Sequence, residues 1–415
     1  MRPTTLLLRD RPAARGALNA LAAAGGAAEV AWAAEPAALG RAAAAARDRG
    51  RQVVVGWSFF SAGFAEARRS LAAARASGAD GALHLAGGPH ATAEPAAVLA
   101  AGFDLCALGE GERTLALLLE RLARGGPAAG PGLAWLEGAA LQRGGRPQPV
   151  DLDGVPPFPP SGERGGPIEI TRGCVHACRF CQASFAAGPR LRHRSPEVVA
   201  HWAGLQVRLG RRDVRFVTPS ALAYGSADGA PRLDRVEALL EAVRAAVGSE
   251  GRLFLGTFPS EIRPEHVTPE ALRLLRRLVD NRSLLLGAQS GSDRMLHASH
   301  RGHGAGEVEQ AVRLAAEAGF EPQVDFILGM PGETDEDAAA SRRLMEALAA
   351  RGARIRGHVF MPLPGTPWAG APAGAPDAAS LLLLERLASA GRAMGQWKAQ
   401  RRHAEELAAG RSSPR

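Results

Sequence analysis

Apolar positions in this chain come in short blocks, separated by longer stretches where charge and alanine are mixed. Over residues 1–125 the blocks at 4–8, 28–33, 52–57, 82–86 and 105–108 read as five strands. Between them lie segments such as 63–76, where Arg and Glu interleave with Ala and Leu at helix-compatible spacing. Strand and helix in turn imply right-handed βαβ crossovers, hence a doubly wound parallel sheet. Ligands of such sheets bind at the carboxyl ends of the strands.

From 126 to 166 Gly and Pro take over, and Pro156-Pro-Phe-Pro-Pro160 can be neither helix nor inner strand. This is a connector with room for one small hairpin, its strand candidate being Leu133-Ala-Trp-Leu136. A second alternation follows over 167–375. Strands are expected at 168–171, 214–218, 252–256, 283–287, 323–327 and 356–361, with helices that include 196–208, 232–247, 269–278, 306–318 and 335–349. Six β/α units predict a partial (β/α)6 barrel of TIM type, with chemistry on the loops after the strands. Residues 376–415 read as a helical, frayed end with a basic tail. No fixed-period repeat is found. The fold class is α/β.

Composition narrows the class. A chain of 415 residues is comfortable for two domains. With 46% hydrophobic and 22% charged residues it reads as soluble and globular rather than disordered. Apolar runs are broken by Arg, Gly or Pro, so no membrane span is expected, and the N-terminal run is too short for a signal peptide. A cytoplasmic protein is the expectation. The net charge of +8 raises the question of nucleic acid. Half of it falls in the last 25 residues, which hold Arg392, Lys398, Arg401, Arg402, Arg411 and Arg415 against Glu405 and Glu406. A solvated basic tail is the plain reading and an electrostatic grip on RNA the competing one.

Three of the four cysteines lie within eight positions, Cys174-Val-His-Ala-Cys178-Arg-Phe-Cys181, directly after the first strand of the second region. Four cysteines are too few for a disulfide scaffold, and such clustering points to metal or redox chemistry. Three thiolates on one loop can each hold a different iron of an iron–sulfur cube, leaving the fourth iron open. Gly173 lets the backbone turn into the loop. The rival is a structural zinc site completed by His176 or the distant Cys106; no second Cys/His pair with zinc spacing follows the loop.

The Cys-x3-Cys-x-aromatic-Cys pattern, preceded by Thr171-Arg-Gly173, resembles the signature of the radical S-adenosylmethionine (SAM) superfamily. The resemblance implies a 4Fe-4S cluster on Cys174, Cys178 and Cys181, and SAM chelated by the open iron. It also implies an external reductant, such as a flavodoxin or ferredoxin, and reductive cleavage of SAM to a 5′-deoxyadenosyl radical. Phe180 matches the aromatic whose backbone faces adenine. Gly287-Ala-Gln-Ser-Gly-Ser-Asp293 resembles the segment that meets the ribose and methionine of SAM, through Gln289, Ser290 and Gly291. Arg301 follows, with a cation for a carboxylate. Val324-Asp-Phe-Ile-Leu-Gly-Met-Pro-Gly-Glu-Thr334 resembles the turn near adenine, with Gly329 and Pro331; Thr334 also suits the cap of the next helix. Thr218 and Ser220 stand where relatives place polar groups for the methionine amine.

Residues 1–125 resemble the Rossmann-like cobalamin-binding module found upstream of many such barrels. Ser58 after the third strand and Gly87-Gly88 after the fourth match the serine and glycine pair that cradle the lower nucleotide arm, and Gly109-Glu-Gly-Glu112 matches after the fifth. The family's Asp-x-His-x-x-Gly loop is altered here to Asp10-Arg-Pro-Ala-Ala-Arg-Gly16, with Pro12 at the histidine position. This loop cannot ligate cobalt. Cobalamin bound with its lower face free, cobalamin supported elsewhere, and a module without cofactor are the three alternatives. His90 reads as a turn residue and Cys106 as a small buried one.

The resemblance implies a radical SAM enzyme acting on a small or medium organic substrate, methyl transfer to an unactivated carbon being the commonest chemistry. A tRNA-modifying methylthiotransferase is the second reading; those enzymes carry a further N-terminal three-Cys cluster, whereas only Cys106 precedes the motif here. A non-catalytic metal or cobalamin sensor is the third. No residue announces itself as a general base or hydrogen-atom donor.

Overall fold

The apolar runs of the first region become strands that are covered on both faces. The computed structural model describes residues 2–147 and 149–412. Two compact units divide the chain, Met1–Gly166 and Pro167–Arg415. In the first, strands β1 (Thr4–Arg9), β2 (Glu29–Ala33), β3 (Gln52–Ser58), β4 (Leu83–Gly87) and β5 (Leu105–Ala107) pair in parallel in the order β2-β1-β3-β4-β5. Leu7, Val53 and Val55 enter one core cluster, and Leu6, Leu8 and Val54 enter another. Successive strand residues point to opposite faces, so a run with no polar position needs cover on both. The cover comes from α1 (Arg15–Ala23), α2 (Pro36–Asp48), α3 (Phe64–Ala74), α4 (Pro89–Ala93), α5 (Pro95–Ala100) and α6 (Gly111–Ala123). The first and last of these helices pack on one face and the middle four on the other. The sheet is doubly wound.

It is not wholly parallel. The hairpin β6 (Leu133–Glu137) and β7 (Ala140–Arg143) adds antiparallel to β5, through Cys106↔Ala134 and Ala107↔Leu133. Residues 126–166, expected as a connector, therefore complete the first unit. Its far end is tied back as well. Arg164 Nη2 lies 2.8 Å from Asp10 Oδ1, its guanidinium sits 3.9 Å over the Trp32 ring, and Asn19 Nδ2 donates to the Gly165 carbonyl. These tethers join residues far apart in sequence, which Gly/Pro composition cannot reveal.

In the second unit the strands are β8 (Ile168–Glu169), β9 (Thr171–Arg172), β10 (Arg192–His193), β11 (Asp213–Val217), β12 (Arg252–Phe254), β13 (Ser283–Gln289), β14 (Glu321–Leu328) and β15 (Arg354–Val359). The run at 168–171 is broken in two: β8 pairs with β11, while β9 turns off to pair antiparallel with β10. The parallel sheets β8-β11-β12 and β13-β14-β15 are bridged where Leu285 N–H donates to Gly256 O and Ile262 N–H donates to Leu285 O. The result is the expected partial barrel.

Several of its helices start where side chains cap them. Among α7 (Gln182–Ala187), α8 (Pro196–Arg208), α9 (Leu233–Val247), α10 (Pro269–Leu278), α11 (Asp293–Ala298), α12 (Ala305–Glu317) and α13 (Asp335–Ala350), both α8 and α10 begin with a Ser or Thr cap followed by Pro. Thr334 caps α13 as expected, in a reciprocal box with Asp337.

The C-terminal segment differs from the frayed helix read from sequence. Helix α14 (Ala378–Ser389) is followed by a strand, β16 (Ala393–Gly395), parallel to β15, and then by α15 (Trp397–Ser412). Gln400 anchors that last helix, accepting from Val359 N–H at 3.1 Å and lying 3.0 Å from His358 Nδ1. Trp397 and Ala404 are buried. Three residues are too short a strand for periodicity to reveal; the exposed edge of β15 is what recruits them. Among the described residues no helix is long and apolar enough to cross a membrane.

Candidate functional site

The cysteine loop is held open by its backbone. Gly173 has φ +94°, and a Cβ there would fall on the Arg190 carbonyl oxygen. Cys174 N–H donates to Gly188 O, Ala177 N–H to Ser184 Oγ, and Cys181 N–H to Cys178 O. Cys181 also caps α7, its sulfur accepting from Ala183 N–H at 3.4 Å. Burial pushes the Cys181 thiol up to about 11, and the neighbouring Cys178 and Cys174 add to this against the Ala183 bond. Metal coordination reverses that balance by displacing the proton outright.

Among the described residues no three His, Cys, Asp or Glu side chains converge as a single ion would require. Three thiols on one loop suit a cube whose irons are held one by one. His176 is half-buried, its ring pushed down to about 4 by desolvation, with Nε2 lacking a partner. The Cys106 thiol is pushed up to about 12 by burial, and its sulfur lies 3.8 Å from Pro95 O inside the first unit. That cysteine behaves as a core residue.

A second loop lies across the first. Arg179 N–H donates to Ser299 O, Cys178 Sγ is 3.5 Å from His300 O, and Arg301 Nη1 is 3.7 Å from Cys178 Sγ. Arg301 Nη2 donates to Gly287 O at 2.6 Å, while its Nε has no partner. Gly287 carries no side chain where Gln289 Nε2, Arg301 Nη2 and Glu261 Oε2 crowd around it, the first two within 3.0 Å of the Cβ it lacks. The structure thus brings Gln289, with φ +73°, together with Arg301 at the end of β13. Ser290 and Gly291 face elsewhere. Ser290 Oγ is 3.2 Å from Ser341 Oγ of α13, and a Cβ on Gly291 would lie 2.7 Å from Ala340 O. Both serve the packing of α13 against this loop.

Phe180 joins an apolar cluster with Met295, Met330, Phe360, Ile327 and Trp368. This places the aromatic of the cysteine loop beside the turn that holds Gly329 and Pro331. Gly329 N–H donates to Glu333 Oε2 at 2.7 Å, and burial pushes that carboxyl up to about 7. Thr218 and Ser220 are buried and spend their hydroxyls locally, Thr218 on Ser220 O and Ser220 on His266 Nδ1.

Sequence reasoning passed over the loop after β12. It holds Glu261, Arg263, Glu265 and His266 within six residues. Charged residues past the end of a barrel strand were the available signal. Burial, then Asp325, pushes the Glu261 carboxyl up, against Arg301, Arg356 and His358. Arg356 Nε and His358 Nε2 lie 3.4 and 3.3 Å from Asp325 Oδ1. Alternate residues of β14 and β15 are apolar and packed outward, so the inner face of this half-barrel is polar, unlike a filled TIM core.

In the first unit Ser58 and Gly87 are register partners at the ends of β3 and β4. Gly88, φ +93°, leaves no room for a Cβ, which would lie 2.7 Å from Phe59 O and 3.3 Å from Ser58 Oγ. The three sequence candidates therefore stand together, beside the β1/β3 switch of strand order. The loop after β1 is a short turn, Pro12–Ala14, with Asp10 paired to Arg164 and Arg11 to Glu66. His90 is buried 4.4 Å from the Phe64 ring with Nδ1 on Ser61 Oγ.

Residues 168–345 match the Radical SAM superfamily. The tRNA-2-methylthio-N(6)-dimethylallyladenosine synthase of Herminiimonas arsenicoxydans is 28% identical over 243 residues, 58% of this chain and 53% of that protein. The enzyme of the same name from Ralstonia nicotianae is 31% identical over 259 residues, 60% of this chain and 55% of that protein. The chain thus spans about half the length of the curated relatives it matches. Among solved structures, the radical SAM methyltransferase TsrM of Kitasatospora setae, bound to tryptophan and a SAM analogue, superposes with TM-score 0.70 at 21% identity, over 90% of this chain and 77% of that one. The cobalamin-dependent radical enzyme OxsB superposes with TM-score 0.67 at 15% identity, over 83% of this chain and 52% of that one. Both likenesses concern the fold.

Proposed function

We propose that this chain, whose residues 168–345 match the Radical SAM superfamily, is a cobalamin-type radical SAM enzyme transferring a methyl group to a carbon of a small or medium organic substrate. The observation that carries this is the coincidence of two sites. A loop of three separated thiols follows the first barrel strand, and a Ser58/Gly87/Gly88 cradle stands at the switch of a separate doubly wound sheet. Cys174, Cys178 and Cys181 would hold the 4Fe-4S cluster. When bound, the cluster supplies the electron that cleaves SAM.

The residues of this chain do the rest by position. Phe180 and Met330 offer adenine an apolar face, Gln289 presents its amide at the end of β13, and Arg301 brings a cation beside Cys178. The polar inner face with Glu261, Asp325, Arg356 and His358 suits a substrate bearing charged or hydrogen-bonding groups. Ser58, Gly87 and Gly88 fit close approach of a ligand arm, whereas no histidine stands in the loop after β1; cobalamin held there would have its lower face free of that ligand.

Methylthio transfer to tRNA is the second reading, favoured by the curated relatives of the barrel. Against it, the first unit contains one cysteine, and that one is buried in the core. Anaerobic reconstitution tests the set. About four irons per chain, a visible spectrum altered by added cobalamin, and 5′-deoxyadenosine formed from SAM under reduction are expected. Stoichiometric zinc without iron overturns the cluster; retention of RNA that is lost with rising salt would move the substrate to tRNA.

A further inference from the structure

We propose that Arg301 raises the reduction potential of the cluster held at Cys178, and that Arg263 and Glu265 brace it in that position; the proposal rests on the cluster reading above. Reduction places one more negative charge on the cluster. A guanidinium is always ionised, and a cation against a ligand sulfur in a buried site stabilises the reduced state over the oxidised one. Arg301 is 8% exposed, with Nη1 at 3.7 Å from Cys178 Sγ and Nη2 at 2.6 Å from Gly287 O. It has one end on the strand and the other on the sulfur.

The brace comes from the loop after β12. Arg263 Nη2 donates to the Arg301 carbonyl, and Arg263 Nε is 2.5 Å from Glu265 Oε1. Glu265 Oε2 in turn lies 3.1 Å from His303 Nδ1, and His303 Nε2 lies 3.2 Å from Ala288 O. Burial disfavours an ionised Glu265, yet the His303 contact and the Arg263 charge hold its carboxyl well below the usual range. Both sides of residue 301 are thereby pinned. The segment from Ser299 to His303 has no freedom to swing its cation away from the cysteine loop, onto which Arg179 N–H and Ser299 O also fasten it.

The test is a potentiometric titration of the reconstituted full-length protein, followed by electron paramagnetic resonance without SAM. Arg301→Gln is expected to lower the reduced-to-oxidised ratio at a fixed potential about tenfold, a midpoint about 59 mV more negative for a one-electron couple. Arg301→Lys, which keeps the charge, recovers most of the shift. Arg263→Gln gives a smaller shift in the same direction, and the double variant equals Arg301→Gln alone, because Arg263 acts through Arg301. An iron-replete Arg301→Gln protein with the wild-type midpoint overturns the proposal, and additive shifts overturn the brace. If Arg301→Gln holds no iron, Arg263→Gln decides, an unshifted midpoint counting against. Wild-type protein without iron would instead overturn the cluster reading.

Discussion

The cysteine loop and the strand ends of the first sheet, both proposed as ligand sites on α/β frames, are built from opposite kinds of information. The loop carries its donors within eight residues, and the fold has only to keep them apart and dry. The first sheet draws Ser58, Gly87 and Gly88 from two strands, and their meeting depends on the register between β3 and β4. A local site survives much drift in its frame, whereas an assembled one depends on each of the loops that meet in it.

The two sites should therefore fail separately. Cys178→Ala is expected to abolish cluster absorbance and bound iron, while cobalamin uptake stays at the wild-type level in a spectrophotometric titration. Joint loss would show that the sites depend on one another. Smaller effects come from a matched pair of glycines. Gly173→Ala and Gly88→Ala each force a side chain into a left-handed backbone against a carbonyl oxygen, at about 1–3 kcal/mol apiece. The first should lower iron loading and the second cobalamin uptake, each leaving the other unchanged; unfolding midpoints measure the strain.

Glu333 gives a pH signature to the barrel alone. Its carboxyl, raised to about 7 by burial, binds its proton more tightly folded than unfolded. The stability it supports is present below the ordinary carboxyl range and lost as pH rises through about 7. Glu333→Gln should flatten urea stability of the barrel between pH 5 and 8 by on the order of 2 kcal/mol. Ser58→Ala is the mildest change, costing cobalamin affinity about 1 kcal/mol with iron untouched. A larger loss would mean that the hydroxyl holds the cradle itself.

Much of the frame was legible. Apolar blocks of four to eight residues locate the inner strands of both units, and the helix starts expected at 196, 269 and 335 coincide with those capped by Ser195, Thr268 and Thr334. Less legible were pieces whose structure is borrowed from neighbours. The Gly/Pro segment 126–166 yields a hairpin because β5 offers an open edge, and Ala393–Gly395 becomes a strand because β15 does. Within the candidate site, motif reading named Cys174, Cys178, Cys181, Phe180, Gln289 and Arg301, yet passed over Glu261, Arg263 and Glu265. Those side chains belong to no local pattern and acquire partners only when the loop after β12 folds beside Gly287 and Arg301.

Sequence alone determined the donor set proposed to hold iron, because the three thiols sit within reach of one another whatever the fold, and alternation of strand and helix imposes its own handedness. Tertiary structure decided how that chemistry is tuned. Contacts between Cys178, Arg301 and the Arg263–Glu265 pair, the first at 3.7 Å, join residues up to 123 positions apart. Electrostatic energy falls with distance in space, not along the chain, so only folding could set them.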